Sequence, residues 1–66
     1  MSRYAEGQIW RTADGRHRVQ IDMIKGGSVY YRVGVADGGL VDAGRMAADI
    51  FDAAVRGSAM TLEVEQ

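Results

Sequence analysis

The clearest helical pattern in this chain is DAGRMAADIFDAAVRG, from Asp42 to Gly57. Wound as a helix, it places its apolar side chains on one side and its charged side chains, Arg45 and Arg56 among them, on the other. An extended strand would put Ile50 and Phe51 on opposite faces without a matching set of polar neighbours. The pattern therefore predicts one amphipathic helix over residues 42–57.

Both ends of the predicted helix carry suitable residues. Asp42 stands at the N-cap position, where a carboxylate accepts hydrogen bonds from the N–H groups of the first turn. Gly57 stands where helices commonly close in the left-handed conformation. Ala48, Ala53 and Val55 widen the apolar side, which indicates either a second contact surface or simply the high helix propensity of alanine.

The rest of the chain alternates as strands do. The predicted strands before the helix are 8–12, 17–24 and 29–35, and one more strand follows it over 59–65. Turn sequences separate the first three strands, ADGR at 13–16 and KGGS at 25–28. Asp14-Gly15 is typical of a type I′ hairpin turn. The predicted order of elements is βββαβ.

This order predicts one domain, residues 1–66, of the α+β class. We expect a two-layer fold in which the helix packs on one face of an antiparallel sheet. Alternation puts Val19, Ile21 and Met23 on the same face of the second strand. The expected helix contacts are Met46, Ile50 and Phe51, packed over Val19, Ile21, Tyr31, Val33, Leu62 and Val64. The alternative is an SH3-like β-barrel with an inserted helix.

Size and composition limit the classes of protein. A chain of 66 residues without cysteine has no disulfide and no thiolate metal site, and a domain this small buries only about 60% of its unfolded surface. No apolar run approaches the ~20 residues of a membrane span. The N-terminus lacks the apolar segment of a secretory signal. We expect a complete small gene product that works in the cytoplasm, without contact to a membrane.

The sequence offers little for catalysis. It has one histidine, His17, and its three serines lie at a terminus or beside glycine, so no nucleophile and base are paired. Asp37 and Asp42 flank glycines without the spacing of a calcium loop. The glycine pairs lack the residues of a phosphate-binding loop. We expect no enzyme activity, no metal and no cofactor.

The face of the sheet opposite the helix is the candidate partner-binding surface. The first 32 residues hold six basic and three acidic side chains, a net +3, and the other 34 residues carry −4. Arginine interleaved with aromatic residues is typical of protein hot spots and of surfaces that stack nucleic-acid bases. The alternative is that Trp10 lies in the core and the arginines are solvated edge residues. The candidate residues are Trp10, Arg16, Arg18, Tyr30 and Arg32.

Two resemblances bear on function. From QIWRTADG to AMTLEVE, the order of elements resembles that of small phage and prophage accessory proteins, including some anti-CRISPR inhibitors. The opening QIWRTADGRHRVQI is similar to the first hairpin of SH3-like nucleic-acid-binding modules. The first resemblance implies a binding protein that blocks a larger complex, and the second implies a nucleic-acid partner.

We therefore expect a non-enzymatic binding protein, an inhibitor from a phage or other mobile element that occupies the surface of a host protein complex. The first alternative is an SH3-like nucleic-acid-binding module. The second alternative is a small structural subunit that completes its core by forming a homodimer through the helix.

Overall fold

The computed structural model describes residues 4–35 and 37–64. Five strands and one helix follow each other along the chain. They are β1 (Ile9–Arg11), β2 (His17–Lys25), β3 (Ser28–Val35), β4 (Leu40–Ala47), α1 (Ala48–Gly57) and β5 (Thr61–Val64). All neighbouring strands are antiparallel, in the order β4-β3-β2-β1-β5. The expected small α+β domain, an antiparallel sheet with one helix, is confirmed; the SH3-like barrel stays a prediction.

The prediction of a helix over residues 42–57 is wrong in its first six residues. These residues belong to β4 and pair with β3, so the order is ββββαβ with five strands instead of four. Gly44 shows the physical reason: it faces Tyr31 across the two strands, and a β-carbon on Gly44 would lie 2.5 Å from the Tyr31 hydroxyl. The glycine leaves room for a large ring, as cross-strand glycine–aromatic pairs do.

The true ends of α1 differ from the predicted ends. Asp42 lies in β4, and Ala47 takes the N-cap position without a side-chain hydrogen bond. Helix α1 instead begins against the β2–β3 turn, where the Ala48 N–H donates to the Gly27 carbonyl at 2.9 Å. This bond pairs one of the N–H groups that a helix start leaves without an intrahelical acceptor.

The C-terminal end closes two residues later than expected. Gly57 is still helical, and the left-handed residue is Ala59, with φ of 51°. The Met60 N–H donates to the Val55 carbonyl and the Ala59 N–H donates to the Arg56 carbonyl, at 3.0 and 3.1 Å. These two bonds define a Schellman motif, with alanine where glycine is usual.

The core lies between the helix and the sheet. Phe51 and Val55 on α1 are buried against the sheet residues Val19, Ile21 and Val29. Tyr31, Val33 and Met46 also pack against this core, as predicted, and so does Met60. The helix therefore covers one face of the sheet.

Two expected core contacts are not made, and one residue of β2 leaves the face on which alternation predicts it. Ile50 is 59% exposed because it points away from the side of α1 that carries Phe51 and Val55. Leu62, in the edge strand β5, is 37% exposed. Met23 is 39% exposed, since the ladder shifts register between Ile21 and Met23 and the chain after the shift turns Ile24 inward instead. The side chain of Val64 lies outside the described part of the structure.

The two predicted hairpin turns are present. At Gly26-Gly27 both residues have positive φ, 60° and 77°, and their neighbours Lys25 and Ser28 are paired, which is the geometry of a two-residue type I′ turn. The β1–β2 turn spans four residues, 13–16, because Thr12 N–H donates to the His17 carbonyl. The type I′ prediction for Asp14-Gly15 is therefore wrong, although Gly15 does adopt a positive φ of 74°.

Candidate functional site

The sheet face that points away from α1 carries most of the arginines. Cross-strand pairing sets Arg11 beside Arg18 in one row and Tyr30 beside Arg45 in another. Arg32, two residues after Tyr30 on β3, pairs with Gln20 in a row between these two. We call this surface the outer face. Its charged and aromatic members are Arg11, Arg18, Asp22, Tyr30, Arg32, Arg45 and Glu63.

The centre of the outer face is a two-bond ion pair. Arg32 donates from Nε and Nη2 to the two carboxylate oxygens of Asp22, at 2.8 and 3.0 Å. This geometry holds the planar guanidinium in one orientation. The hydrogen bond and the charge of Asp22 raise the pKa of Arg32 above its ordinary value. Asp22 lies at the register shift of β2. The same irregularity therefore turns Met23 outward and contains the carboxylate that pairs with Arg32.

A second pair lies where β1, β2 and β5 meet. Arg11 Nε donates to a Glu63 carboxylate oxygen at 3.0 Å, and Arg18 Nε lies 3.6 Å from the same oxygen. Glu63 is 52 residues from Arg11 in the chain. One carboxylate therefore holds two arginines and joins the edge strand β5 to the middle of the sheet.

Tyr30 and Arg45 form the third feature of the outer face. They are cross-strand partners on β3 and β4, and the Arg45 guanidinium carbon lies 5.9 Å from the centre of the Tyr30 ring. This distance is within the range of a cation–π contact. The aromatic ring thus lies against a cation at the surface and not in the core.

The charges of the outer face differ from those of the rest of the molecule. Four arginines and two carboxylates give the outer face a net charge of +2. Since the whole chain carries −1, all other residues together carry −3. The chain is therefore polarised, with its positive charge on one side of the sheet.

A shallow cleft of about 440 Å³ lies at the end of the sheet, between the β1–β2 turn and the β3–β4 loop. Its lining residues are Arg11, Gly15, Arg16, His17, Val35 and Asp37. Asp14 lies in the adjoining turn, where the Arg16 N–H and the Thr12 hydroxyl donate to its carboxylate and lower its pKa. The three carboxylates of Asp14, Asp37 and Glu63 more than offset the charges of Arg11 and Arg16, so the cleft shows no preference for an anion.

The structure brings three of the five predicted partner-binding residues onto one surface. Arg18, Tyr30 and Arg32 lie on the outer face. Arg16 lies in the cleft at the end of the sheet instead.

Trp10 does not belong to the outer face, and its prediction as a surface residue is wrong. Its side chain is 4% exposed and packs at 5.4 Å from the Tyr4 ring, while its Nε1 donates to the Gln8 side chain at 3.2 Å. The cause is strand register: Trp10 pairs with Val19, whose side chain faces the core.

Sequence reasoning missed two arginines of the outer face. The helical pattern places Arg45 on the polar side of the predicted helix, and no pattern in the sequence gives Arg11 a role. Gly44 was the available signal for Arg45, because glycine is unfavourable in a helix interior and its neighbours then alternate as in a strand. Nothing in the local sequence around Arg11 indicated Glu63.

Within residues 4–35 and 37–64, no group of three or more metal-binding side chains comes together. The described residues also include no helix long and apolar enough to cross a membrane. His17 is exposed and lies in the cleft.

Comparison with known proteins gives no match. No family model fits the chain, and neither the curated proteins nor the solved structures show significant similarity to it.

Proposed function

We propose that this chain is a non-enzymatic binding protein that recognises another protein through its outer face. The observation that carries the proposal is a set of ordered arginines that shares with Tyr30 one sheet surface, which the helix leaves uncovered. Arginine and tyrosine are the residue types most enriched at protein hot spots.

Order in the free molecule supports this surface as a binding site. Asp22 holds Arg32 by two bonds, and Glu63 holds Arg11. A long side chain that is already held in place loses less conformational entropy when a partner binds. These surface ion pairs contribute little to folding stability, since exposed pairs are typically worth about 0–1 kcal/mol. Their main effect is on the shape and charge that the surface presents.

Charge favours a protein over a nucleic acid as the partner. Affinity for nucleic acid grows with the number of phosphates that free cations neutralise. On the outer face, Arg11, Arg18 and Arg32 all lie within ion-pair distance of a carboxylate. A phosphate backbone would meet Asp22 and Glu63 as well as the arginines. A protein surface of mixed charge can instead pair with both signs.

The inhibitor form of the proposal rests on the resemblance to phage and prophage accessory proteins. In that form the chain acts in the cytoplasm and occupies a surface of a host protein complex. Steric occupation needs only affinity and position, so a rigid domain of this size is sufficient.

Capture from host lysate on the immobilised chain tests the proposal. We expect one defined protein to be retained, and Arg32→Ala or Tyr30→Ala to lower its affinity at least about tenfold, which is the size of a hot-spot effect. Lys25→Ala is the matched control because it removes an exposed cation that takes part in none of the outer-face pairs. If all three variants retain the protein equally, the outer face is not the binding surface.

A titration with labelled single-stranded DNA and RNA separates the nucleic-acid alternative. We expect no saturable binding at about 50 mM salt, where phosphate contacts are strong. Binding that weakens steeply with salt and is lost in Arg32→Ala would replace the protein partner with a nucleic acid.

A further inference from the structure

Helix α1 has a second side that the sheet does not cover. Phe51 and Val55 point into the core, and Asp52 accepts a hydrogen bond from the Tyr4 hydroxyl. On the opposite side, four exposed residues follow the helical spacing i, i+3, i+4 and i+7. We call this side the free helix face; its members are Ile50, Ala53, Ala54 and Gly57.

The free helix face combines one large apolar side chain with a flat surface. Ile50 is 59% exposed at one end, and Ala53, Ala54 and Gly57 leave a shallow depression towards the other end. Two charged residues, Asp49 and Arg56, border it on the same flank, near its two ends. Along the helix, the large apolar side chain and the acidic side chain thus lie towards one end, and the small residues and the basic side chain lie towards the other.

We propose that the free helix face binds a second copy of this chain, with the two helices antiparallel about a two-fold axis. In this arrangement Asp49 of each copy lies opposite Arg56 of the other copy, because the two residues are equally far from the centre of the helix. Within one helix, Asp49 and Arg56 lie about 10 Å apart along the helix axis, at about 1.5 Å per residue. The charged flank is therefore complementary to itself.

The apolar residues fit the same arrangement. Ile50 of one copy lies opposite the depression formed by Ala54 and Gly57 of the other, so that a large side chain meets small ones and the helices can approach closely. Arg56 donates its Nε to Asp52 at 2.9 Å, and its two terminal nitrogens are the donors that reach Asp49 of the second copy. An isologous contact of this kind closes as a dimer and does not continue as a filament.

The dimer leaves both outer faces free. Because α1 and the outer face lie on opposite sides of the sheet, a helix-to-helix contact directs the two outer faces away from each other. Such a dimer can engage two sites on an assembly with repeated subunits, and linked binding raises the apparent affinity without any new contact. The contact itself is small, so the dimer is expected to be weak and in exchange with the monomer.

Sedimentation of the full-length chain tests the proposal. The chain mass is 7.2 kDa, and we expect the average mass to rise towards twice this value between about 10 μM and about 1 mM, a range suited to a small interface. Ile50→Glu should remain a monomer over the whole range. Val41→Glu is the matched control, since it makes the same kind of change at the exposed β4 residue and should dimerise like the original chain.

A charge exchange tests the antiparallel register. Asp49→Arg alone and Arg56→Asp alone should each be monomeric, because like charges then face each other across the axis. An equimolar mixture of these two variants should form a heterodimer, since both facing pairs become complementary. Circular dichroism checks that each variant is folded.

Several results would overturn the proposal: a monomer at every concentration, a dimer that survives Ile50→Glu, or a mixture that does not associate. Arg32→Ala lies outside the free helix face and should dimerise normally. If partner capture fails while dimerisation is intact, only the proposed function is contradicted. If dimerisation fails while partner capture is intact, only the proposed dimer is contradicted.

Discussion

Ala59 is the residue whose backbone is least suited to its side chain. It is the non-glycine residue with positive φ among the described parts of the chain, and it ends the Schellman motif of α1. A β-carbon in the left-handed conformation costs roughly 1–2 kcal/mol, because it approaches the following carbonyl oxygen. The two carbonyl hydrogen bonds of the motif hold the residue there in spite of this cost.

We predict that Ala59→Gly stabilises the protein. Glycine removes the steric cost but adds about 0.5–1 kcal/mol of unfolded-chain entropy, so the expected gain in the free energy of unfolding is about 0.5–1 kcal/mol. Ala53→Gly, in the middle of the same helix, should instead lower it by about 1 kcal/mol. Urea unfolding monitored by circular dichroism measures both, and a loss of stability in Ala59→Gly would contradict the assigned conformation.

At the scale of the element, segment 42–47 has two competing local structures. Its residues suit an amphipathic helix, and Met46 faces the core whether the segment is helical or extended. Pairing with β3 stabilises the extended structure, because Tyr31 packs over Gly44 and Tyr30 packs against Arg45. Cross-strand pairs of this kind outweigh helix propensities of a few tenths of a kcal/mol per residue.

The sign of the change in stability on a glycine-to-alanine substitution distinguishes the two structures, and two such substitutions test it. A β-carbon at Gly44 would lie 2.5 Å from the Tyr31 hydroxyl oxygen and 2.6 Å from the ring carbon Cζ, so Gly44→Ala should destabilise the strand by about 1–3 kcal/mol. If residues 42–47 were helical, the same change would stabilise by about 1 kcal/mol. Gly57→Ala is the control: it lies in α1 with open space around it and should be stabilising by up to about 1 kcal/mol. Thermal unfolding of both variants shows whether each substitution raises or lowers the stability.

At the scale of the whole molecule, Tyr4 connects the segment before β1 to the helix and the sheet. Its ring lies 5.4 Å from the Trp10 ring and 5.2 Å from the Phe51 ring, the latter edge-on, and its hydroxyl donates to Asp52. A domain of this size has few such contacts to lose, since its total stability is a small difference between large terms. Tyr4 is therefore part of the core.

We predict that Tyr4→Phe lowers the free energy of unfolding by about 1–2 kcal/mol, since it leaves the rings packed but removes the hydrogen bond to Asp52. Tyr4→Ala should cost about 3–5 kcal/mol, the range for large aromatic truncations, and leave most molecules unfolded. Dispersion of amide signals in NMR spectra at low temperature reports the folded fraction. A folded and cooperative Tyr4→Ala protein would show that this residue is peripheral.

Much of the candidate site followed from alternation along a single strand. Alternation places Tyr30 and Arg32 on the opposite side of β3 from Tyr31 and Val33, as the structure does, because period two determines sides within one strand. Arg45 could not be found in this way while its strand was read as a helix. Trp10 could not be placed either, because the side that a three-residue strand turns inward depends on the strands beside it.

Local patterns were sufficient for four alternating strands, the glycine turns, the α+β class and the presence of one helix, although the predicted helix, 42–57, begins six residues before α1. These follow from periods and turn chemistry within a few neighbouring residues. Three features depend on the folded molecule: the identity of β4, the burial of Trp10 and the pairing of Arg11 with Glu63. The physical reason is distance along the chain: these features depend on contacts between residues up to 52 positions apart, and no local pattern encodes which distant strands pair.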